Sequence, residues 1–192
     1  MRKAAAGEGL TPSPVATICR PADGGGRGRA EAPGVDAFVG LGSNLGDRAA
    51  EIERAIDAIA ALPATTLVAR SSMYESAPVD AAGADYLNAV VRIRTGLAPI
   101  ALLHELQVIE TRHGRRRPYA NAPRTLDLDL LLHGAVECAT VELMLPHPRL
   151  HERAFVLRPL AEIAPALCVA GRGTVTTLLA GVAQQRIARL DR

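Results

Sequence analysis

The stretch that most constrains this chain is Arg124-Thr125-Leu126-Asp127-Leu128-Asp129-Leu130-Leu131-Leu132. A run this apolar reads as a buried strand, and side chains along a strand alternate between its two faces. Asp127 and Asp129 therefore share one face, roughly 6–7 Å apart at a rise of about 3.3 Å per residue. Two buried carboxylates so placed are costly unless positive charge sits near them. Two sources are open: nearby arginines, Arg124 among them, or hard divalent cations, which bind through one or two carboxylates plus phosphate oxygens. A strand whose carboxylates face solvent or an arginine is the plain alternative.

The 192 residues suffice for one domain with a sizeable core. A net charge of +2 gives no support to general nucleic-acid or anionic-membrane binding. Cys19, Cys138 and Cys168 are odd in number and widely spaced, which suggests neither a disulfide framework nor a zinc site. No run of 18 apolar residues is present to span a bilayer, so a soluble, cytoplasmic protein is expected. Residues 1–35, with Gly24-Gly25-Gly26 and several prolines, read as a disordered N-terminal extension, and residues 36–192 as a single domain.

Order should begin with a strand over residues 36–41, followed by a turn over 42–46 and a helix capped by Asp47, with Ile52, Ile56, Ile59 and Leu62 on one face. A strand over 66–73 and a loop over 75–84 follow. Leu87, Ala89, Val91 and Ile93 then alternate with Tyr86, Asn88, Arg92 and Arg94 in a strand with one polar face. Pro99 opens a second helix striped by Leu102, Leu106 and Ile109, and the loop 114–123 leads into the aspartate strand. The order βαββαβ is the α+β, ferredoxin-like arrangement, an antiparallel sheet with two helices on one face. Beyond it, the spacing predicts C-terminal additions: a helix over 153–163 interrupted near Pro159, and a terminal helix over 175–190.

Gly40, Gly42 and Gly46 miss the dinucleotide fingerprint by one residue, and no Walker sequence is present. These glycines either form a turn or let a ligand approach the backbone. Arg115, Arg116, Arg117 and Arg124 lie close to the paired aspartates, and arginine forks bind phosphate oxygens and keep their charge. Carboxylates for divalent ions beside arginines for phosphates are what a nucleoside triphosphate with magnesium requires. Tyr86 could stack on a flat ring whose polar edge Asn88 reads. A nucleic-acid-binding module would use the same aromatics and arginines, yet it leaves the paired aspartates unexplained.

The motifs Val39-Gly40-Leu41-Gly42-Ser43-Asn44-Leu45-Gly46, Asp85-Tyr86-Leu87-Asn88, Pro123-Arg124-Thr125-Leu126-Asp127-Leu128-Asp129 and Pro146-His147-Pro148 with Arg153 and Phe155 together resemble the 6-hydroxymethyl-7,8-dihydropterin pyrophosphokinase (HPPK) family of folate biosynthesis. The resemblance implies a transferase that moves pyrophosphate from ATP to the hydroxymethyl oxygen of the pterin and releases AMP. It implies two magnesium ions on Asp127 and Asp129, with Arg115 and Arg124 completing the catalytic set. Gln107, Glu110, Arg115, Arg117, Arg124, His147 and Arg153 match its ATP-binding positions. Ser76, Ala77, Val79, Tyr86, Asn88, Asp127 and Phe155 match its pterin pocket. Asn121 and Ala122 stand where some relatives carry a tryptophan and a glycine. A monomer that binds neither nucleic acid nor membrane is implied.

Overall fold

The computed structural model describes residues 34–78, 84–114 and 124–190. The expected disorder over residues 1–35 falls almost wholly outside the described residues, as do Val79, Arg115, Arg117, Asn121 and Ala122.

The first strand, β1 (Val35–Ser43), holds Gly40 as expected and runs two residues past its expected end, so Gly42 is a strand residue too and the turn is confined to the stretch around Gly46, whose φ is +65°. Helix α1 (Arg48–Ala60) begins where Asp47 accepts a hydrogen bond from the Ala50 N–H at 3.1 Å, and it buries Ile52, Ile56 and Ile59. The strand expected over 66–73 stops at Arg70 as β2 (Thr65–Arg70), and a further strand, β3 (Tyr74–Ser76), reaches into the expected loop; both pair with β4 (Tyr86–Thr95). Buried Ser71 spans the break: its N–H donates to the Val90 carbonyl and its Oγ accepts from the Val90 N–H, each at 3.0 Å. Ser76 thus belongs to a strand and not to the loop expected there. Helix α2 (Pro99–Arg112) buries Leu102, Leu106 and Ile109, and β5 (Asp127–His133) follows.

Every pairing in the main sheet is antiparallel, and β1 is an inner strand between β4 and the edge strand β5. One face carries Ala37, Val39, Leu41, Leu87, Ala89 and Val91 with Leu126, Leu128 and Leu130, all packed beneath α1 and α2. The other face carries Phe38, Val90 and Leu131. Helices on a single face were expected, but this second face has its own cover.

That cover comes from the C-terminal part of the chain. A hairpin of β6 (Cys138–Ala139) and β7 (Met144–Leu145) leads to a single 3-10 turn (Leu150–Glu152) and to α3 (Ala154–Ile163). Helix α3 is continuous through Pro159, correcting the expected interruption; burial of Val156, Leu157, Pro159 and Leu160 outweighs the one ladder bond that proline forfeits. A second hairpin, β8 (Cys168–Val169) with β9 (Gly173–Thr174), precedes α4 (Val175–Gly181). The terminal helix expected over 175–190 stops at Gly181, and β10 (Ile187–Arg189) instead pairs with β3. An open sheet edge needing hydrogen-bond partners overrides the local helical pattern there.

Leu128 is 5% exposed between α2 and the sheet, so Leu128→Ala should cost about 2–5 kcal/mol in urea unfolding. A loss well under about 1 kcal/mol would contradict its place in the core. Asp47→Ala, which removes only the helix cap, should cost about 1 kcal/mol with an unchanged denaturant slope.

Candidate active site

The register of three strands builds the site. Gly42 of β1 lies opposite Asp127 of β5 and Asn88 of β4, and Gly40 lies opposite Asp129 and Val90. Alternation then places Tyr86, Asn88, Asp127 and Asp129 on the face turned away from α1 and α2. A Cβ on Gly42 would stand 3.7 Å from Asn88 Oδ1 and 3.9 Å from Asp127 Cβ, ordinary contact distances. Packing therefore does not demand glycine here; its absent side chain leaves open space over the middle of the sheet. That space is a cavity walled by Ser76 and Ala77 on one side, Tyr86, Asn88 and Asp127 along the floor, and Arg153 and Phe155 from the start of α3.

Asn88 is buried, and its amide nitrogen donates to Ser76 Oγ at 3.0 Å and to the Tyr74 carbonyl at 3.2 Å. Those bonds fix which way the amide faces and leave its oxygen as the group a ligand edge would meet. Burial pushes the Tyr86 phenol above its usual range, with the Arg124 charge opposing the shift and the Asp127 charge adding to it.

Charge concentrates on the opposite wall. The Arg124 guanidinium hydrogen-bonds Asp127 Oδ2, and Arg153 Nη1 lies 4.0 Å from Asp129 Oδ2. Burial raises the Asp129 carboxyl above the ordinary range and the neighbouring Asp127 charge raises it further, against the pull of His147, Arg153 and Arg124. Burial lowers His147, with Asp129 opposing the shift, and Arg153 is lowered by burial and by Arg149. Two arginines so placed offset part of the carboxylate repulsion and can exchange those partners for phosphate oxygens.

A second cavity lies beyond Asp129, walled by Leu103, Leu128, Thr140, Met144 and His147. Asp129 lines both cavities. His147 is held by its N–H to the Leu131 carbonyl at 2.9 Å. Of the other positions matched to ATP, Gln107 is exposed on α2 and lines neither cavity, while Glu110 is buried and accepts the Leu128 N–H at 2.7 Å. That bond grips the peptide between the two aspartates. Arg115, Arg117 and Val79 lie outside the described residues.

Asn44 is an unanticipated positioning residue: its Oδ1 accepts the Arg124 N–H at 2.7 Å and its own N–H donates to the Arg124 carbonyl at 3.1 Å, securing the entry to β5. No period or charge pattern marks it. The 140–144 segment of the second cavity carries no sequence signal either, since its exposed Val141 and Met144 look like any loop.

Among the described residues no group of three or more His, Cys, Asp or Glu is placed to hold a metal ion. The site offers two carboxylates, which suits a hard ion that completes its shell with substrate phosphates and water.

The family model described as 7,8-dihydro-6-hydroxymethylpterin-pyrophosphokinase (HPPK) matches residues 38–165. A 2-amino-4-hydroxy-6-hydroxymethyldihydropteridine pyrophosphokinase of Methylorubrum extorquens is 42% identical over 156 residues, covering 81% of this chain and 98% of the relative. The enzyme of the same name from Pseudomonas aeruginosa is 43% identical over 154 residues, covering 80% and 95%. In three dimensions the chain resembles the wild-type Plasmodium falciparum HPPK-DHPS crystallised with pteroate, with a TM-score of 0.64 at 14% identity, covering 81% of this chain and 44% of that one. This chain thus spans under half the length of that structural neighbour, and the likeness speaks for the fold. With the family match running from β1 to the end of α3, and the identity to both bacterial enzymes extending over nearly their whole length, the chain belongs to the 7,8-dihydro-6-hydroxymethylpterin-pyrophosphokinase family.

Proposed function

We propose that this protein transfers the pyrophosphoryl group of ATP to the hydroxymethyl oxygen of 6-hydroxymethyl-7,8-dihydropterin, a step of folate biosynthesis. The observation that carries this reading is the position of Asp127 and Asp129 on one face of β5, with Asp129 in the common wall of two cavities. A flat heterocycle fits the first, with Tyr86 and Phe155 as its aromatic walls and the Asn88 oxygen accepting from its amino edge. The second takes the nucleotide, so the β-phosphate and the attacking hydroxymethyl oxygen meet at the aspartates.

In the reaction that oxygen forms a bond to the β-phosphorus, the bond between the β-phosphorus and the α,β-bridging oxygen breaks, AMP departs, and the hydroxymethyl proton passes to solvent. Asp127 and Asp129 would hold magnesium, two ions by the family resemblance, which when bound neutralises charge on the phosphates. Arg124 and Arg153 move from carboxylate to phosphate oxygens as the nucleotide enters, joined by Arg115 and Arg117, which lie between α2 and β5 in the sequence. His147 lines the nucleotide cavity, and Glu110 serves through its grip on β5. Gln107 and Val79 complete the matched set. Most of the rate enhancement is positioning and electrostatics.

The strand order and the pair of helices α1 and α2 support the ferredoxin-like description, with the C-terminal segments as additions to it. We read residues 36–192 as one catalytic unit, monomeric and cytoplasmic, without nucleic-acid or membrane partners; among the described residues no helix is long and apolar enough to cross a membrane.

Purified protein given ATP, magnesium and the hydroxymethyl-dihydropterin should release AMP, and Asp127→Asn or Asp129→Asn should lower the rate at least about a hundred-fold. Release of ADP in place of AMP would overturn the reading. Because the folded chain raises the Asp129 carboxyl, its ionisation costs stability: nothing below the unfolded value of about 3.9, increasingly as pH rises through the folded value, and fully above it. Asp129→Asn should therefore raise the Tm of the magnesium-free protein at about pH 8, with the gain vanishing near about pH 4. A Tm lowered at both pH values would contradict the repulsion between the aspartates. Gly42→Ala should leave Tm nearly unchanged yet weaken pterin binding about tenfold or more in calorimetry, since the new methyl enters the cavity and not the core.

A further inference from the structure

The tail of the chain, beyond residue 165 where the family match ends, reaches back to the site. Helix α3 begins without a side-chain cap of its own, because Arg153 occupies the capping position and aims its guanidinium elsewhere. The first-turn N–H groups of a helix need partners. Gln185 supplies one: its Oε1 accepts the Ala154 N–H at 2.8 Å, and its Nε2 donates to the Glu152 carbonyl at 2.7 Å. These two bonds seize the chain on either side of Arg153.

Arg153 is the residue whose aim matters most here. Its guanidinium lies 4.0 Å from Asp129 and 5.4 Å from the centre of the Phe155 ring, and among the described residues its buried Nε has no hydrogen-bond partner. The side chain is therefore held by its backbone and by its electrostatic neighbours, with little else to fix its direction. Gln185 is itself well anchored. Its N–H donates to the carbonyl of buried Val182 at 3.0 Å, and two residues later β10 begins its pairing with β3, Ile187 opposite Ser76 of the pocket wall. The Leu190 N–H closes the segment onto the Met73 carbonyl at 2.9 Å, and Arg189 reaches Glu162 of α3 at 3.7 Å. One short segment thus spans both walls of the first cavity, β3 on one side and the start of α3 on the other.

We propose that Gln185 is a positioning residue for pyrophosphoryl transfer, fixing the peptide groups that flank Arg153 and so setting its guanidinium against Asp129 and Phe155. The proposal rests on the pyrophosphokinase reading of the site. Its test is a double-mutant cycle on the full chain, with AMP release and Tm measured for the wild type, Gln185→Met, Arg153→Ala and the pair. Gln185→Met, which keeps the length of the side chain and removes both hydrogen bonds, should lower kcat/KM about tenfold with Arg153 present and under about twofold with Arg153→Ala, while lowering Tm equally in both backgrounds. An equal loss of kcat/KM in both backgrounds, or none in either, would overturn the proposal by showing that Gln185 does no more than hold the fold. Should Gln185→Met fold poorly, Gln185→Glu keeps an acceptor for the Ala154 N–H and gives the same cycle; equal losses would again overturn it. No AMP from the wild-type protein would overturn the reading of the site, and the proposal with it.

Discussion

The structure depends on a like-charge pair that the fold forces into place. Asp127 and Asp129 occupy alternate positions of β5, and the leucines between and around them are committed to the core beneath α1 and α2. Neither carboxylate can turn away without dragging a leucine out of that core. Burying such a leucine is worth roughly 1.5–3 kcal/mol, and three of them, Leu126, Leu128 and Leu130, hold the strand against the repulsion of its other face. Arg124, Arg153 and the Glu110 grip on the Leu128 peptide complete the restraint.

Around that pair the sheet divides its labour by face. The buried face is continuous and apolar, as a rigid platform requires. The other face is covered by α3 only in part, and where cover is lacking, Gly42, Asn88 and the two aspartates line a cavity. The cavity-lining side chains of Asn88, Asp127 and Asp129 therefore stand on strands, whose positions are fixed by ladders of hydrogen bonds.

Much of this was legible in the residues. Alternation, broken only by Val90 in β4 and by Leu131 in β5, exposed the aspartate face of β5 and the polar face of β4, and the isoleucine stripe and Asp47 located α1. Those features are local, and local physics reports them. What lay hidden depends on distant partners. Nothing near Gly42 says that it sits in an inner strand and not in a turn, because that is decided by pairing with β4 and β5. Residues 187–189 carry no strand pattern and become β10 only because β3 presents a free edge. Asn44 and Glu110 each bond to backbone far along the chain, a role that residue type and spacing do not disclose.

The alternation of leucine and aspartate in β5 also bears on folding fidelity. If β5 paired with β1 one residue out of register, every side chain would change faces, and both carboxylates would enter the leucine core while the leucines emerged over Gly40 and Gly42. The alternation that turns both carboxylates toward the cavity therefore also disfavours the slipped register, so a molecule whose sheet is in register has both aspartates on the cavity face.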